Sequence, residues 1–381
     1  MITTRRGILS LAAGVAAGAW ARPSFAAGEP IAIGAAIPTT GPLSLSGKQY
    51  FNTLTMAEED INKSGGINGR PIKFVIEDTG TSNSTAVSAF VKLVQDTKPP
   101  FVFLSSYSTQ NLATAPEVVK AGIPVMYAGG AVAVSASSNG WMFRIRPTDS
   151  LAAHGMAQFA KILKATKPGI MYIQNDFGQG GAQAAAKQLE AAGVTPVGSE
   201  AYGQNDKDYS AQLLRLREKG ADVILTFVYP ADGALLLRQI KALGLKTPVI
   251  ASSASFLPAS VQLLSPADLV NVWGVIDTFV DASVGGRMAD FVTRYKAKFG
   301  QDGDAYGLAY YDGALILAEG LRKVGTDPKA LRDWIASQKA WDGIGQTFSF
   351  DQEGNGVHGV AVVKAKPGTK TLELVERLKL G

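Results

Sequence analysis

The stretch FLSSYSTQNLATAP, residues 103–116, gathers side chains able to do chemistry: Ser105, Ser106, Tyr107, Ser108, Thr109, Gln110 and Asn111. A serine nucleophile needs a base within hydrogen-bond reach. The chain holds two histidines, His154 and His358, both distant from the cluster in sequence, and no Gly-x-Ser-x-Gly turn. Each histidine reads as a structural or surface residue, so the chain is expected not to be an enzyme. Two isolated histidines without cysteine make no zinc ligand set, and no cofactor is expected. Gly178-Gln179-Gly180-Gly181 resembles a nucleotide loop but lacks the following Lys-Ser/Thr and the full Gly-x-Gly-x-x-Gly spacing. It reads as a tight strand-to-helix turn.

Anion recognition fits the serine cluster better. It follows the apolar run Phe101-Val102-Phe103-Leu104 and precedes a helix-like segment. That puts it at the carboxyl edge of a sheet, where α/β folds bind ligands. A helix beginning near Gln110 or Asn111 would aim unpaired N–H groups and a positive dipole end at that edge. With hydroxyls added, such an end holds a carboxylate without a buried cationic side chain. The plainer reading has Ser108 or Thr109 capping the helix, and the two roles are compatible.

The elements that must position this cluster alternate between β-rich runs and helical periods. Ile31–Ile37, Lys73–Ile76, Phe101–Leu104 and Pro124–Tyr127 read as strands; their near-continuous apolar character suits a parallel sheet covered on both faces. Phe51, Leu54, Ala57 and Ile61 mark one helix face. The pattern restarts with strands at Gly169–Ile173, Ala221–Phe227 and Pro248–Ala251, between helices whose buried faces carry Tyr209, Leu213 and Leu216, then Leu236, Ile240 and Leu243. Two consecutive β/α series predict two doubly wound lobes, with no long linker between them. Residues 286–299 and 303–324 read as helices, 345–356 as strand, turn, strand, and Val360–Val363 as the return strand.

Composition agrees. A chain of 381 residues with 46% hydrophobic content is long enough for two cores. Arg5 and Arg6 precede an apolar run, Ile8 to Trp20, and small residues end at Ala26-Ala27; this resembles a twin-arginine export signal over residues 1–27. The alternative, a membrane anchor, fails because the run is shorter than the ~20 residues a span needs. The signal holds Arg5, Arg6 and Arg22 and no acid, so 37 basic residues become 34 against 32 acidic. A net charge near +2 gives no reason to expect nucleic acid or anionic lipid as a partner. The absence of cysteine excludes disulfides, a thiol nucleophile and a lipoprotein anchor. A periplasmic location and a monomer are expected.

Several segments together resemble the branched-chain amino-acid-binding (leucine-binding-protein-like) family of periplasmic solute-binding proteins that serve ABC transporters. These are Ile37-Pro38-Thr39-Thr40-Gly41-Pro42 with Gly47, Asp60 to Arg70, Phe143-Arg144 with Pro147 and Asp149, Asn175-Asp176-Phe177-Gly178, Ala309 to Ala314, and Phe350 to Gly354. The resemblance implies an α/β fold of two Rossmann-like lobes joined by three hinge crossovers, the type I periplasmic binding protein. The lobes would be 28–145 plus 278–348 and 146–277 plus 349–381. A small carboxylate ligand would bind between them, and the closed form would be read by ABC permease subunits in the inner membrane. A sensor coupled to a membrane signalling protein would use the same fold.

By the same resemblance a carboxylate-binding hydroxyl falls at Ser108 and a second donor at Asn111. The turn after the fourth strand is Ala128-Gly129-Gly130-Ala131, without the usual hydroxyl. An aromatic of the first loop is replaced near Leu45-Ser46, and the acid that holds a ligand ammonium is replaced near Ser253. A buried ammonium without a carboxylate partner is costly. Asp176 and Asp232 read as turn or cap residues, so the expected ligand is a hydrophobic or aromatic acid that need not carry an ammonium group, with a branched-chain or other hydrophobic amino acid as the alternative. Tyr107, Phe177, Tyr229 and Tyr306 would line a roomy pocket or serve as core; for Tyr306 the two readings are balanced.

Overall fold

A computed structural model describes residues 28–137 and 139–379; the export-signal reading falls on residues outside this range. Five parallel strands form the first sheet: β1 (Ile31–Ile37), β2 (Ile72–Asp78), β3 (Val102–Leu104), β4 (Val125–Tyr127) and β5 (Met142–Arg144), in the order β2-β1-β3-β4-β5. The second sheet takes β6 (Pro168–Ile173), β7 (Gly198–Tyr202), β8 (Val223–Phe227), β9 (Val249–Ser252) and β10 (Val272–Ile276), all parallel. A small pair, β11 (Trp341–Asp342) and β12 (Thr347–Phe348), stands apart. The antiparallel strands β13 (Gly359–Ala365) and β14 (Leu372–Lys379) then extend the second sheet beyond β10.

Strand composition explains this layering. β8 (VILTF) is buried at every position, as a strand covered by helices on both faces must be. The two main cores are separate. One packs β1 and β3 against Tyr50, Leu54 and the helix Ala305–Val324; the other packs β6, β8 and β10 against Val360–Val363. The chain passes between the sheets three times, at residues 145–148, 277–281 and 349–358. Phe279 still packs with the second core, whereas Phe350 and Val357 pack with the first.

Strand order reverses between β1 and β3 in the first sheet and between β6 and β8 in the second. Helices leave opposite faces at such a point and open a crevice at the carboxyl ends of the strands. The segments leaving there are Ser105–Ser108 after β3, Asn175–Phe177 after β6 and Tyr229 after β8.

Two sequence expectations require correction. On the helix Ser44–Lys63 the buried face runs through Tyr50, Leu54, Ala57 and Ile61, while Phe51 is 44% exposed; neighbouring residues on a helix differ by about 100°. In 345–356 only Thr347–Phe348 is a strand, and the rest is an irregular connection held by Asp351, whose carboxylate accepts from the backbone N–H of Glu353 and Asn355. The strand containing Val360–Val363 pairs with β10 and β14 instead of returning along this segment.

The Gly178-Gln179-Gly180-Gly181 turn opens the helix Asp176–Ala191, capped by Asn175, whose Oδ1 accepts from Gly178 N. A Cβ on Gly178 would lie 2.0 Å from Ile173 O, and one on Gly181 2.2 Å from the Phe227 ring, whereas one on Gly180 would meet nothing within 4 Å. These two glycines let helix and strand touch. Gly178→Ala is therefore expected to cost about 2–3 kcal/mol in urea unfolding, and Gly180→Ala to be neutral or stabilising by about 0.5–1 kcal/mol. Equal effects at both positions would refute the packing role.

Candidate functional site: the interlobe cleft

The helix after β3 begins earlier than its sequence suggests, at Ser108, and runs to Ala121. Its N-cap is Tyr107, and no side chain caps it, so neither Ser108 nor Thr109 plays the capping role. Ser105 Oγ accepts from Tyr107 N (3.2 Å) and donates to Gln110 Oε1 (2.7 Å), which fixes the turn. The first-turn amides keep the free N–H groups an anion would use.

Ser108 Oγ accepts from Ala131 N (3.1 Å), joining this helix end to the loop after β4. Asn111 Nδ2 donates to Ser105 O (3.1 Å). The glycines of that loop have a packing cause. A Cβ on Gly129 would lie 2.5 Å from Asn111 Nδ2, and one on Gly130 1.9 Å from Asp149 Oδ1. The absent hydroxyl is thus a consequence of how closely Ser108, Asn111 and Asp149 approach this backbone.

At the first two chain passages sits a buried charge cluster. Arg146 donates through Nε and Nη2 to both oxygens of Asp277 (2.8 and 3.1 Å), the fork geometry that makes such pairs strong. Burial pulls the guanidinium down, but Asp277 more than reverses this and holds it well above the usual arginine value. The guanidinium also lies 4.7 Å from the centre of the Tyr306 ring, and Ser253 Oγ accepts from Asp277 N (3.5 Å).

Asp149 completes the cluster. It is 3% exposed, its backbone N–H donates to Gly130 O (2.8 Å), and its Oδ1 lies 3.7 Å from Arg146 Nη1. Its Oδ2 has no hydrogen-bond partner among the described residues. Burial pushes this carboxyl up to about 6 against the attraction of Arg146 and Arg144. Burial raises the Tyr229 hydroxyl, with Asn175 opposing and the Asp149 charge adding to the rise. Sequence reading missed it: the contact with Gly130 spans 19 residues, and only backbone geometry brings the two together.

The aromatic wall crosses the cleft. Tyr107 and Tyr229 have ring centroids 5.0 Å apart, and Phe177 stacks on Tyr229 at 5.2 Å. Asn175 Nδ2 donates to Tyr229 Oη (3.2 Å). Tyr306 is buried beneath Arg146, and burial pushes its hydroxyl far up. Ser46 is buried beside Tyr50, whose hydroxyl meets Ser106 Oγ at 2.7 Å. Leu45, in the first turn of the helix Ser44–Lys63, is 48% exposed. Asp176 is exposed, and Asp232 accepts from Tyr202 Oη (3.1 Å). His154 meets Gln158 (3.0 Å) and His358 meets Ser349 O (2.7 Å), so neither engages the serine cluster. Ser253 also borders an interlobe cavity of about 1150 Å³, lined among others by Phe256, Leu257, Ile276, Val292 and Asp304.

The arrangement offers an anion end at Ser108 and an acid at Asp149, joined through the Gly129–Ala131 backbone. Comparisons with known proteins agree with this fold. Residues 30–370 match the sequence model of the periplasmic binding protein family. The Leu/Ile/Val-binding protein homolog 7 of Brucella abortus is 29% identical over 344 residues, covering 84% of this chain and 85% of that protein. Homolog 8 from the same organism is 30% identical over 313 residues, covering 76% of each. Among solved structures, a leucine-binding protein from Thermotoga maritima superposes with a TM-score of 0.83 at 20% identity, covering 92% of this chain and 99% of that one. An ABC transporter solute-binding protein of R. palustris in complex with benzoate gives 0.80 at 17% identity, with 91% and 96% covered. At these identities the structural likeness speaks for the fold. By its sequence match over nearly the whole described length, this chain belongs to the periplasmic binding protein family.

Proposed function

We propose that this chain is the periplasmic receptor of an ABC transporter of the branched-chain amino-acid family, and that its cleft takes a small hydrophobic ligand bearing both a carboxylate and an ammonium group. Residues 1–27 serve as its export signal, and the three chain passages are the hinges on which the lobes close. The ligand carboxylate lies against the Ser108 hydroxyl and the free amides of its helix. The ammonium faces Asp149. Phe177, Tyr229 and Tyr107 cover the apolar part.

The observation that carries this reading is Asp149 Oδ2, a buried carboxylate oxygen with no hydrogen-bond partner among the described residues. Such a group is retained at a cost unless a donor arrives. The names of the Brucella relatives support an aliphatic amino acid. An aromatic acid is the second reading, favoured by the benzoate complex and the aromatic wall.

A thermal-shift screen decides between them. L-leucine and L-isoleucine at about 100 times Kd should stabilise the chain by about 2.7 kcal/mol and raise its melting temperature by several degrees. 4-Methylpentanoate, which lacks the amine, and L-leucinamide should do much less. A response to benzoate and 4-methylpentanoate with none to leucine would overturn the ammonium reading. Ser108→Ala should weaken leucine binding roughly tenfold to a hundredfold in calorimetry, the loss of one hydrogen bond to a charged group; unchanged affinity would leave Ser108 only its bond to Ala131.

Asp149→Asn separates stability from binding. The folded carboxyl sits at about 6 instead of its ordinary 3.8, so the fold favours the neutral form and loses stability as pH rises from about 4 through 6. In the ligand-free chain, Asn should add about 2–3 kcal/mol at pH 7–8 and almost nothing at pH 4 in urea unfolding, while leucine affinity falls. Destabilisation of similar size at both pH values would show that Asp149 is held by contacts this account omits.

A further inference from the structure

Arg144 is the largest fully buried side chain of the described chain, at 0% exposure. Burial of a cation is tolerated when a carboxylate answers it. Arg146, two residues on, has two acids beside it; Arg144 makes no ion pair among the described residues. Its Nε donates to Asn355 Oδ1 (3.0 Å), and its Nη2 to Ala131 O (2.9 Å) and Ser135 Oγ (2.7 Å), all uncharged. Nη1 has no hydrogen-bond partner among the described residues, and the guanidinium rests 4.8 Å from the centre of the Tyr127 ring. Asp351 is reached only through Asn355, whose Nδ2 donates to Asp351 Oδ2 (3.0 Å). Burial accordingly pulls Arg144 below the usual arginine value, with Tyr127 and Asp149 opposing.

The place of this charge is informative. Ala131 receives Arg144 on its carbonyl and gives its N–H to Ser108 Oγ. One residue therefore separates an unanswered buried cation from the hydroxyl at the anion end of the cleft. The Arg144 backbone also grips the third chain passage: its N–H donates to Gly354 O (2.7 Å), and its carbonyl accepts from Gly356 N (3.1 Å).

We propose that Arg144 is a positioning residue whose charge is completed by the ligand carboxylate, so that it sets the preference of the cleft for an anionic over a neutral head group. The inference rests on the carboxylate reading of the cleft given above. In a low-dielectric interior a charge at this remove still acts on a bound anion, whereas water would screen it. The hydrogen bonds to Ala131 and Asn355 keep the guanidinium beneath the loop and tie that loop to the third hinge.

The test compares wild type with Arg144→Gln, which keeps a donor and loses the charge, and Arg144→Lys, which keeps the charge. Calorimetry is run with L-leucine and L-leucinamide, and with benzoate and benzamide as a second acid–amide pair. Circular dichroism melting checks that each variant is folded. Arg144→Gln should weaken leucine about tenfold and leave leucinamide within about twofold, collapsing the acid-to-amide ratio; Arg144→Lys should keep the ratio near wild type. If acid and amide weaken together in Arg144→Gln, or if Lys and Gln shift the ratio alike, the charge has no such role and the inference falls. If Gln does not fold, a wild-type ratio in Lys sustains the proposal and a collapsed ratio overturns it. Failure of wild type to bind either acid would instead remove the carboxylate reading, and this inference with it.

Discussion

Arg146 and Asp277 sit 131 residues apart in sequence, at the first and second passages of the chain between its lobes, and they are joined by a buried two-pronged bond. Three residues of the candidate site are arranged around that bond. It fixes the guanidinium over the Tyr306 ring and near Asp149, and it sets Asp277 N against Ser253. Removing one partner of such a pair strands a charge in a low-dielectric interior, which costs about 3–5 kcal/mol. A buried ion pair therefore ties together two of the segments at which the chain passes between its sheets.

The fold brings chemistry to the cleft by a simple route. Each sheet has one point where strand order reverses, and both lobes turn that point toward the same cleft. The first lobe contributes an uncapped helix end and backbone kept bare by glycine; the second contributes flat apolar rings. Charge is distributed with the same logic. Arg146 has Asp149 and Asp277 beside it, whereas Arg144 makes no ion pair among the described residues, and its charge is the one the proposed ligand carboxylate would answer.

Much of this was legible in the sequence. The strands β1, β3 and β8 announce themselves because each is a long or bounded apolar run, and the two series of strands and helices separate the lobes. Ser108, Tyr107, Phe177 and Tyr229 were identifiable because they follow such strands directly. The hidden parts share one cause: they depend on pairings between distant segments. β5 is three residues long, and its identity comes only from its neighbour β4. Asp149 appeared as a family landmark, since nothing local shows that its backbone bonds to Gly130. The glycines at 129 and 130 looked like a lost hydroxyl, although they are the condition for Asn111 and Asp149 to come so close. Leu45, expected in a loop, lies in the first turn of the helix Ser44–Lys63, a start that no sequence signal there announced.

The central claim is that one ligand spans from the Ser108 helix end to Asp149. A crystal structure of the chain grown with L-leucine at pH 7 tests it most directly. The account predicts the leucine carboxylate within hydrogen-bond distance of Ser108 Oγ and its ammonium within that distance of Asp149 Oδ2, with the isobutyl group against Tyr229. Leucine bound with its ends exchanged, or held elsewhere in the cleft with Asp149 untouched, would contradict it.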